Sequence, residues 1–190
     1  MGYSVFPAPA SGPTLAEITT AIQNNATPYN GTWTDIAYQS GNGLTAVTFS
    51  SISGYKTLRL ASIGLPAGGG NINVTFNGDT GGNYSTFTLR SRDTTNTFTN
   101  VRTPQGTSIV LGLSDSGSIE AHLTIQNASS STASKQLSLV NAAWPGATGG
   151  DYLFGIYRST SPITSITITR GGGGTWATSS PIGFYLYGAN

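Results

Sequence analysis

The chain has 190 residues, enough for one sizeable domain, and only 8% of them are charged, with 8 Lys and Arg against 7 Asp and Glu. This balance lacks the basic footprint of a nucleic-acid-binding protein, and the absence of cysteine excludes disulfides, zinc–thiolate sites and thiol nucleophiles. No apolar run approaches the roughly 18 residues of a membrane span, so we expect neither a nucleic-acid partner nor membrane insertion.

The first 28 residues predict an extended arm followed by one short helix. Three prolines within MGYSVFPAPASGP favour an extended conformation. Thr14 and Glu17 have the spacing of a capping box at a helix start, and Leu15, Ile18 and Ile22 then form an apolar stripe. Because a helix of about three turns is marginal alone in water, we expect this stripe to contact another surface and to serve in assembly.

From residue 29 onward the pattern predicts strands and turns. Eleven short segments alternate apolar and polar residues, and clusters of Gly, Asn, Ser and Pro separate them. They are residues 32–38, 44–49, 55–60, 72–76, 84–89, 109–113, 119–125, 136–140, 152–157, 163–168 and 184–187. Such a pattern is typical of antiparallel sandwiches and barrels. We predict an all-β domain over residues 29–190, an antiparallel β-sandwich of jelly-roll type.

The stretch FNGDTGGNYS, residues 76–85, has the composition of either a functional loop or a tight turn. It lacks the spaced acidic ligands of a calcium loop, although Asp79 could hold a weak ion with help from elsewhere. The alternative is a hairpin turn between residues 72–76 and 84–89, in which Asp79 accepts hydrogen bonds from backbone N–H groups of its own loop. We favour the hairpin, and we predict neither a metal site nor a cofactor.

A catalytic site would have to use the single histidine of the chain, His122. Glu120 and His122 lie on one face of a predicted strand, at a spacing that suits a base and its orienting carboxylate. The same pair is also ordinary for the solvent-facing side of a half-buried strand, and no Gly-x-Ser-x-Gly elbow accompanies it. We therefore predict no catalytic residues and no enzyme activity, with a hydrolase built on this pair as the alternative.

Two tryptophans in loop-like contexts, Trp144 and Trp176, are candidate contacts for a glycan. Their rings could stack on sugars, with Asp151 or Asp79 as partners for sugar hydroxyls. In the alternative that we favour, the rings close the ends of the sandwich or fill a subunit contact, where tryptophan is enriched.

Several short segments, in order along the chain, resemble structural proteins of tailed bacteriophages. They are YKTLRL at 55–60, FNGDTGGNY at 76–84, ITSITI at 163–168, the glycine run at 171–174 and FYLYG at 184–188. The resemblance spans about residues 55–188. It implies a β-sandwich component of a tail, baseplate, fibre or head decoration, usually oligomeric and without catalytic residues.

This resemblance, together with the N-terminal segment, implies a non-enzymatic structural protein on the outside of a virion. We expect residues 1–28 to anchor it to other virion proteins and residues 29–190 to assemble as a homo-oligomer, with a trimer favoured by the resemblance. The alternative is a carbohydrate- or receptor-binding module that attaches the particle to a glycan of the host surface.

Overall fold

The structure, a computed structural model, describes residues 32–64, 71–92, 97–113, 118–144, 149–176 and 182–190. Within these ranges the chain forms strands in two sheets and contains no helix. The predicted arm and helix, with Leu15, Ile18 and Ile22, lie outside the described residues. The chain divides into two units between Thr32 and Trp33. No helix within the described ranges has the length and apolar character needed to cross a bilayer.

The described residues form twelve strands. These are β1 Thr34–Ser40, β2 Ala46–Phe49, β3 Thr57–Gly64, β4 Asn71–Phe76, β5 Tyr84–Arg92, β6 Thr97–Gly106, β7 Ile109–Leu113, β8 Ser118–Gln126, β9 Lys135–Trp144, β10 Gly149–Tyr157, β11 Ile166–Arg170 and β12 Ile182–Ala189. The larger sheet has the order β1-β12-β3-β8-β9-β10-β5-β6, and the smaller sheet has the order β2-β11-β4-β7. All neighbouring strands are antiparallel.

The smaller sheet shows why these sequences form strands. In β4, Ile72, Val74 and Phe76 are fully buried, and the polar residues between them are partly exposed. Thr48 of β2 and Thr167 of β11 face away from the core, with their hydroxyl oxygens 3.1 Å apart. Since successive side chains of a strand point to opposite faces, the alternation gives each strand one apolar face and one polar face.

The inner faces of the two sheets share one hydrophobic core. The smaller sheet contributes nine buried side chains, Val47, Phe49, Ile72, Val74, Phe76, Ile109, Leu111, Ile166 and Ile168. The larger sheet contributes, among others, Leu58, Leu60, Leu123, Ile125, Leu139, Leu153, Phe184 and Leu186. Each such side chain stabilises the fold by about 1.5–3 kcal/mol relative to exposure. The prediction of an all-β antiparallel sandwich is therefore confirmed for the described residues.

The predicted hairpin at FNGDTGGNYS is wrong. Strand β4 before it belongs to the smaller sheet, and strand β5 after it belongs to the larger sheet. The stretch therefore carries the chain from one layer of the sandwich to the other. Alternation specifies which face of a strand is buried, but it does not specify which strand lies beside it.

Alternation also missed strand β6. Its sequence, TFTNVRTPQG, has only two large apolar residues, Phe98 and Val101, and it includes Pro104. Strand β6 is the last strand of the larger sheet. A proline has no N–H to donate, and an edge strand tolerates that loss because one side of it needs no partner.

A buried lysine joins two loops at one end of the sandwich. Lys135, the first residue of β9, is fully buried. Its Nζ donates to the carbonyl oxygens of Ser130 at 2.7 Å, Ala133 at 3.0 Å and Thr160 at 2.8 Å. Burial lowers the pKa of Lys135, while the three carbonyl acceptors favour the charged form and match its three donors.

Replacement of Lys135 by Met should destabilise the fold, because it keeps most of the side-chain volume and leaves three carbonyl oxygens without their donor. We expect a loss on the order of 3 kcal/mol in the free energy of unfolding, measured by urea denaturation. Lys56→Met, at an exposed position, is the matched control and should cost about 0.5 kcal/mol or less. Equal stabilities of the two variants would contradict this role of Lys135.

Candidate functional site

The FNGDTGGNYS segment is organised around the carboxylate of Asp79. Its Oδ1 accepts a hydrogen bond from the Gly81 N–H at 2.8 Å, as the sequence predicted for a group that caps its own loop. Its Oδ2 accepts hydrogen bonds from the side-chain amide of Asn83 at 2.8 Å and from the hydroxyl of Tyr157 at 2.9 Å. Tyr157 lies 78 positions further along the chain, in β10. Asp79 thereby links the inter-sheet loop to the larger sheet.

A neighbouring asparagine links the same loop to a third segment. Asn77 and Gly78 have φ values of 54° and 69°, in the left-handed region that asparagine and glycine tolerate best. The Asn77 Oδ1 accepts hydrogen bonds from the N–H groups of Thr164 at 2.8 Å and Ser165 at 3.1 Å. Its Nδ2 donates to the carbonyl oxygen of Pro162 at 2.9 Å. The side chain therefore fixes the connection between β10 and β11.

Two stacked tyrosines lie beneath the loop. The rings of Tyr84 and Tyr157 are 4.8 Å apart and nearly parallel, and Phe76 meets Tyr157 edge-on at 5.2 Å. The Tyr84 hydroxyl accepts the Phe76 N–H at 2.8 Å and donates to the carbonyl oxygen of Asp79 at 3.1 Å. The rings belong to the core, so the polar loop rests on an aromatic cluster.

The protonation states follow from these contacts. Burial by itself would raise the pKa of Asp79, but the hydrogen bonds from Asn83, Gly81 and Tyr157 outweigh it and hold the pKa below 3.8. Burial raises the pKa of Tyr84 and of Tyr157 above the usual value of 10.0. Near neutral pH the carboxylate is therefore charged and both phenols are neutral.

The contacts of Asp79 also bear on the weak-ion alternative. Both carboxylate oxygens receive N–H or O–H donors, whose positive ends would repel a cation. Among the residues that the structure describes, no group of three or more His, Cys, Asp or Glu is placed to hold a metal ion. The observed geometry therefore favours a structural loop.

The predicted pair of Glu120 and His122 is in contact on the outer face of the larger sheet. Nε2 of His122 lies 3.1 Å from a carboxylate oxygen of Glu120, and Nδ1 lies 3.1 Å from the guanidinium of Arg59. Because a guanidinium only donates, Nδ1 accepts and Nε2–H donates to the carboxylate. Arg59 therefore occupies the lone pair that a general base needs.

Trp176 lies inside the sandwich and not on its surface. It is fully buried, and its ring packs 5.4 Å from that of Phe184 in β12. Its backbone N–H donates to the carbonyl oxygen of Leu44 at 3.0 Å. With no ring face open to solvent, this residue cannot stack on a sugar in this conformation, and its burial favours the packing alternative.

The other two candidate glycan contacts lie elsewhere in the larger sheet. Trp144 ends β9, and the structure describes only its backbone, paired with Ser118. Asp151 in β10 is mostly buried and forms an ion pair with Arg90 at 3.0 Å. Strand β10 is four strands from β12, about 19 Å away. Asp151 and Trp176 therefore do not meet in one site.

Sequence reasoning missed an apolar surface on the outside of the larger sheet. We call it the apolar face, and it consists of Phe87, Leu89, Val140, Tyr152, Phe154 and Ile156, exposed by between 37% and 58%. Tyr152 pairs with Leu89 of β5 and with Val140 of β9, and Phe154 pairs with Phe87 of β5. Since residues paired across antiparallel strands share a face, the six side chains lie together. A signal for it is the apolar run YLFGIY in β10, in which the residues on both faces of the strand are apolar.

Comparison with models of known protein families gives no match for this chain. Comparison with curated protein sequences gives no match either.

Replacement of Asp79 by Ala should lower the thermal stability, because three donors lose their acceptor. We expect a loss of about 1–3 kcal/mol, which for a domain of this size lowers the melting temperature by roughly 2–4 °C per kcal/mol. Differential scanning calorimetry measures the change. Asp35→Ala, at an exposed position in β1, is the matched control and should have little effect.

The dependence of this stability difference on pH and on EDTA shows whether it comes from the hydrogen bonds of Asp79 or from a bound ion. Since the folded pKa of Asp79 lies below 3.8, its stabilisation is fully present above the unfolded pKa and is lost as the pH falls through the folded pKa. The gap between the wild type and Asp79→Ala should therefore narrow in acid. EDTA should change neither protein, whereas destabilisation of the wild type by EDTA would restore the ion alternative.

Proposed function

We propose that this protein is a non-enzymatic structural component of a tailed-phage virion, exposed on a tail appendage, a baseplate or the capsid surface. Its N-terminal segment mounts it and its β domain assembles. It needs no cofactor, and its partners are other virion proteins and further copies of itself. Three features support this proposal. They are the strand order, the small number of charged residues, and the contacts within the fold that are made by the polar residues resembling active-site groups.

The strand order is the observation that carries the proposal, because it supports a jelly-roll arrangement. Without the hairpin strands β5–β6 and β9–β10, the sheets reduce to β1-β12-β3-β8 and β2-β11-β4-β7. In the larger sheet β1 then lies beside β12 and β3 beside β8, and in the smaller sheet β2 lies beside β11 and β4 beside β7. Successive pairs along the chain therefore alternate between the two sheets. Such an order is what eight-stranded jelly rolls have, and jelly rolls recur in viral capsid and lectin domains.

A fold does not by itself give a function, and the surface chemistry adds separate support. Only 8% of the residues are charged, and the outer face of the smaller sheet carries hydroxyl groups such as those of Thr48 and Thr167. Charged groups are depleted at the centres of protein interfaces because their desolvation is costly. A surface with few charges therefore suits a protein that is packed among others.

The polar residues that most resemble active-site groups have structural contacts. Asp79 accepts three hydrogen bonds within the fold, and His122 lies between Arg59 and Glu120. These contacts support a non-enzymatic role over a hydrolase.

Residues 1–28 supply the mounting segment of this proposal. The apolar stripe of Leu15, Ile18 and Ile22 would pack against virion proteins or against the same stripe of other copies. The resemblance favours a trimer.

The alternative function is attachment of the particle to a glycan or receptor of the host. Jelly rolls also occur in lectins, and a pair of aromatic residues with an exposed member lies at β1 and β12. Tyr38 of β1 is 56% exposed, and its ring lies 4.7 Å from that of Tyr185 in β12. Such a pair offers ring faces for stacking on sugars.

Purified particles test the structural role. Antibodies against the protein should label particles in immunogold electron microscopy, and the labelled position distinguishes tail from capsid. A chain lacking residues 1–28 should keep its thermal unfolding transition and be absent from particles when it replaces the full chain. Normal incorporation of that shortened chain would refute the mounting role, and absence of the full chain from particles would refute the structural role.

A glycan array tests the attachment alternative on the purified protein. Under our proposal we expect no selective binding. Selective binding that is lost in Tyr38→Ala or in Trp144→Ala, with an unchanged melting temperature, would favour attachment. Thr48→Ala, on the outer face of the smaller sheet, is the matched control.

A further inference from the structure

We propose that the apolar face of the larger sheet binds a second copy of this chain. This inference rests on the assembly of the β domain in the proposed function, and it names the surface through which assembly occurs. Four observations carry it, namely the position of the face, the pattern of β10, the exposed area and the shape of the surface.

The apolar face lies in the interior of the larger sheet and not at its edge. Its strands β9, β10 and β5 are flanked by β8 on one side and by β6 on the other. The register of the sheet shows which flanking residues lie on the same outer side, because they pair with outward residues of β9 and β5. These are Glu120, His122 and Thr124 of β8, and Asn100 and Arg102 of β6. An apolar centre between polar flanks is the usual anatomy of a protein interface.

The sequence of β10 is that of a strand covered on both faces. Leu153 and Tyr157 point into the core, where each is only 2% exposed. Tyr152, Phe154 and Ile156 point outward and are about half exposed. Near-continuous apolar runs are typical of strands buried on both sides. Among the described residues, the core covers only one side of β10, so the apolar residues on its other side are available to a partner.

The area of the apolar face fits the centre of an interface. With about 150–250 Å² for each aromatic side chain, the observed exposed fractions give on the order of 500 Å² of apolar surface. Patches of that size on a monomer are often functional. A stable interface buries about 800 Å² on each partner, and the polar neighbours Ser85, Gln136 and Ser138 surround the face and would supply the remainder.

The shape of the surface suits a copy of itself. Phe154 is the most exposed of the six side chains, at 58%. It forms part of the wall of a depression of about 510 Å³ whose lining also includes Phe87, Ile156, Gln136 and Pro104. Aromatic side chains that enter such depressions contribute most of the binding energy at interfaces. A surface that carries both exposed rings and a depression can engage an identical surface.

The chemistry of the face distinguishes a second copy from a sugar. None of its six side chains is charged, and Leu89, Val140 and Ile156 are aliphatic and have no ring to stack on a sugar. The matching partner is therefore an apolar and uncharged protein surface. The apolar face of another copy is such a surface, and in a face-to-face contact the two sheets would lie about 10 Å apart.

The oligomeric state of the full chain tests this inference, with size-exclusion chromatography coupled to light scattering as the measurement. The wild type should be oligomeric. The double variant Tyr152→Thr with Phe154→Thr should raise the dissociation constant about 30-fold or more. Threonine keeps the strand propensity of these positions, and an unchanged circular dichroism spectrum shows that the variant folds. The matched control is Ile63→Thr, half exposed on the same sheet face but in β3, which should leave the mass unchanged.

Single cysteines provide a second measurement, because the natural chain has none. Ser138→Cys places a thiol opposite Phe154 on β9 without removing any side chain of the apolar face. A short bismaleimide should join copies of this variant into covalent oligomers. Thr48→Cys, on the outer face of the smaller sheet, is the matched control and should cross-link much less.

Three results would overturn the inference. They are a monomeric wild type, a double variant with the wild-type mass, and equal cross-linking of the two cysteine variants. If replacement of Leu15, Ile18 and Ile22 by Ser dissociates the oligomer while the double variant does not, the N-terminal stripe is the contact instead. Particle incorporation is measured separately, so an oligomer that never enters particles refutes the virion role and leaves this contact standing.

Discussion

The hydrogen bond from Tyr157 to the carboxylate of Asp79 is a polar tie between the two sheets, beside the hydrophobic core that they share. The carboxylate lies in the connection that leaves the smaller sheet, and it accepts this hydrogen bond from Tyr157 of the larger sheet. Lys135 is the corresponding cation, because its buried ammonium group donates hydrogen bonds to three carbonyl oxygens. In a chain with so few charges, some of the charged groups organise the interior, and hydroxyl and amide groups cover much of the surface.

The sequence predicted where the individual strands lie far better than which strands lie side by side in a sheet. Eleven of the strands were visible because apolar residues recur along each of them, whereas β6 at the sheet edge has too few apolar residues to be recognised. Partners distant in sequence left no local signal, so the link from Asp79 to Tyr157 and the inter-sheet path of FNGDTGGNYS were not predictable. Trp176 looked like a loop residue because of the glycines before it, and its burial against Phe184 is visible only in the structure.

The candidate site also shows that a residue type identifies chemistry only together with its contacts. Glu120 and His122 lie together as predicted, but Arg59 from the neighbouring strand occupies the second ring nitrogen. Strand β10 has apolar residues on both of its faces, and it carries the middle of the apolar face. In this protein, an apolar run was the signal for the surface to which we assign assembly, whereas Glu120 and His122 have contacts within the fold.

The apolar face has a further consequence through its position in the topology. All six of its side chains belong to β5, β9 and β10, which are strands of the two hairpins that lie outside the eight-strand order. The strands that complete the two-layer framework, such as β3 and β4, contribute nothing to it. Because these six side chains point away from the core, mutations that change them can accumulate in evolution without disturbing the sandwich, and related chains would then differ in the proposed contact while keeping the same fold.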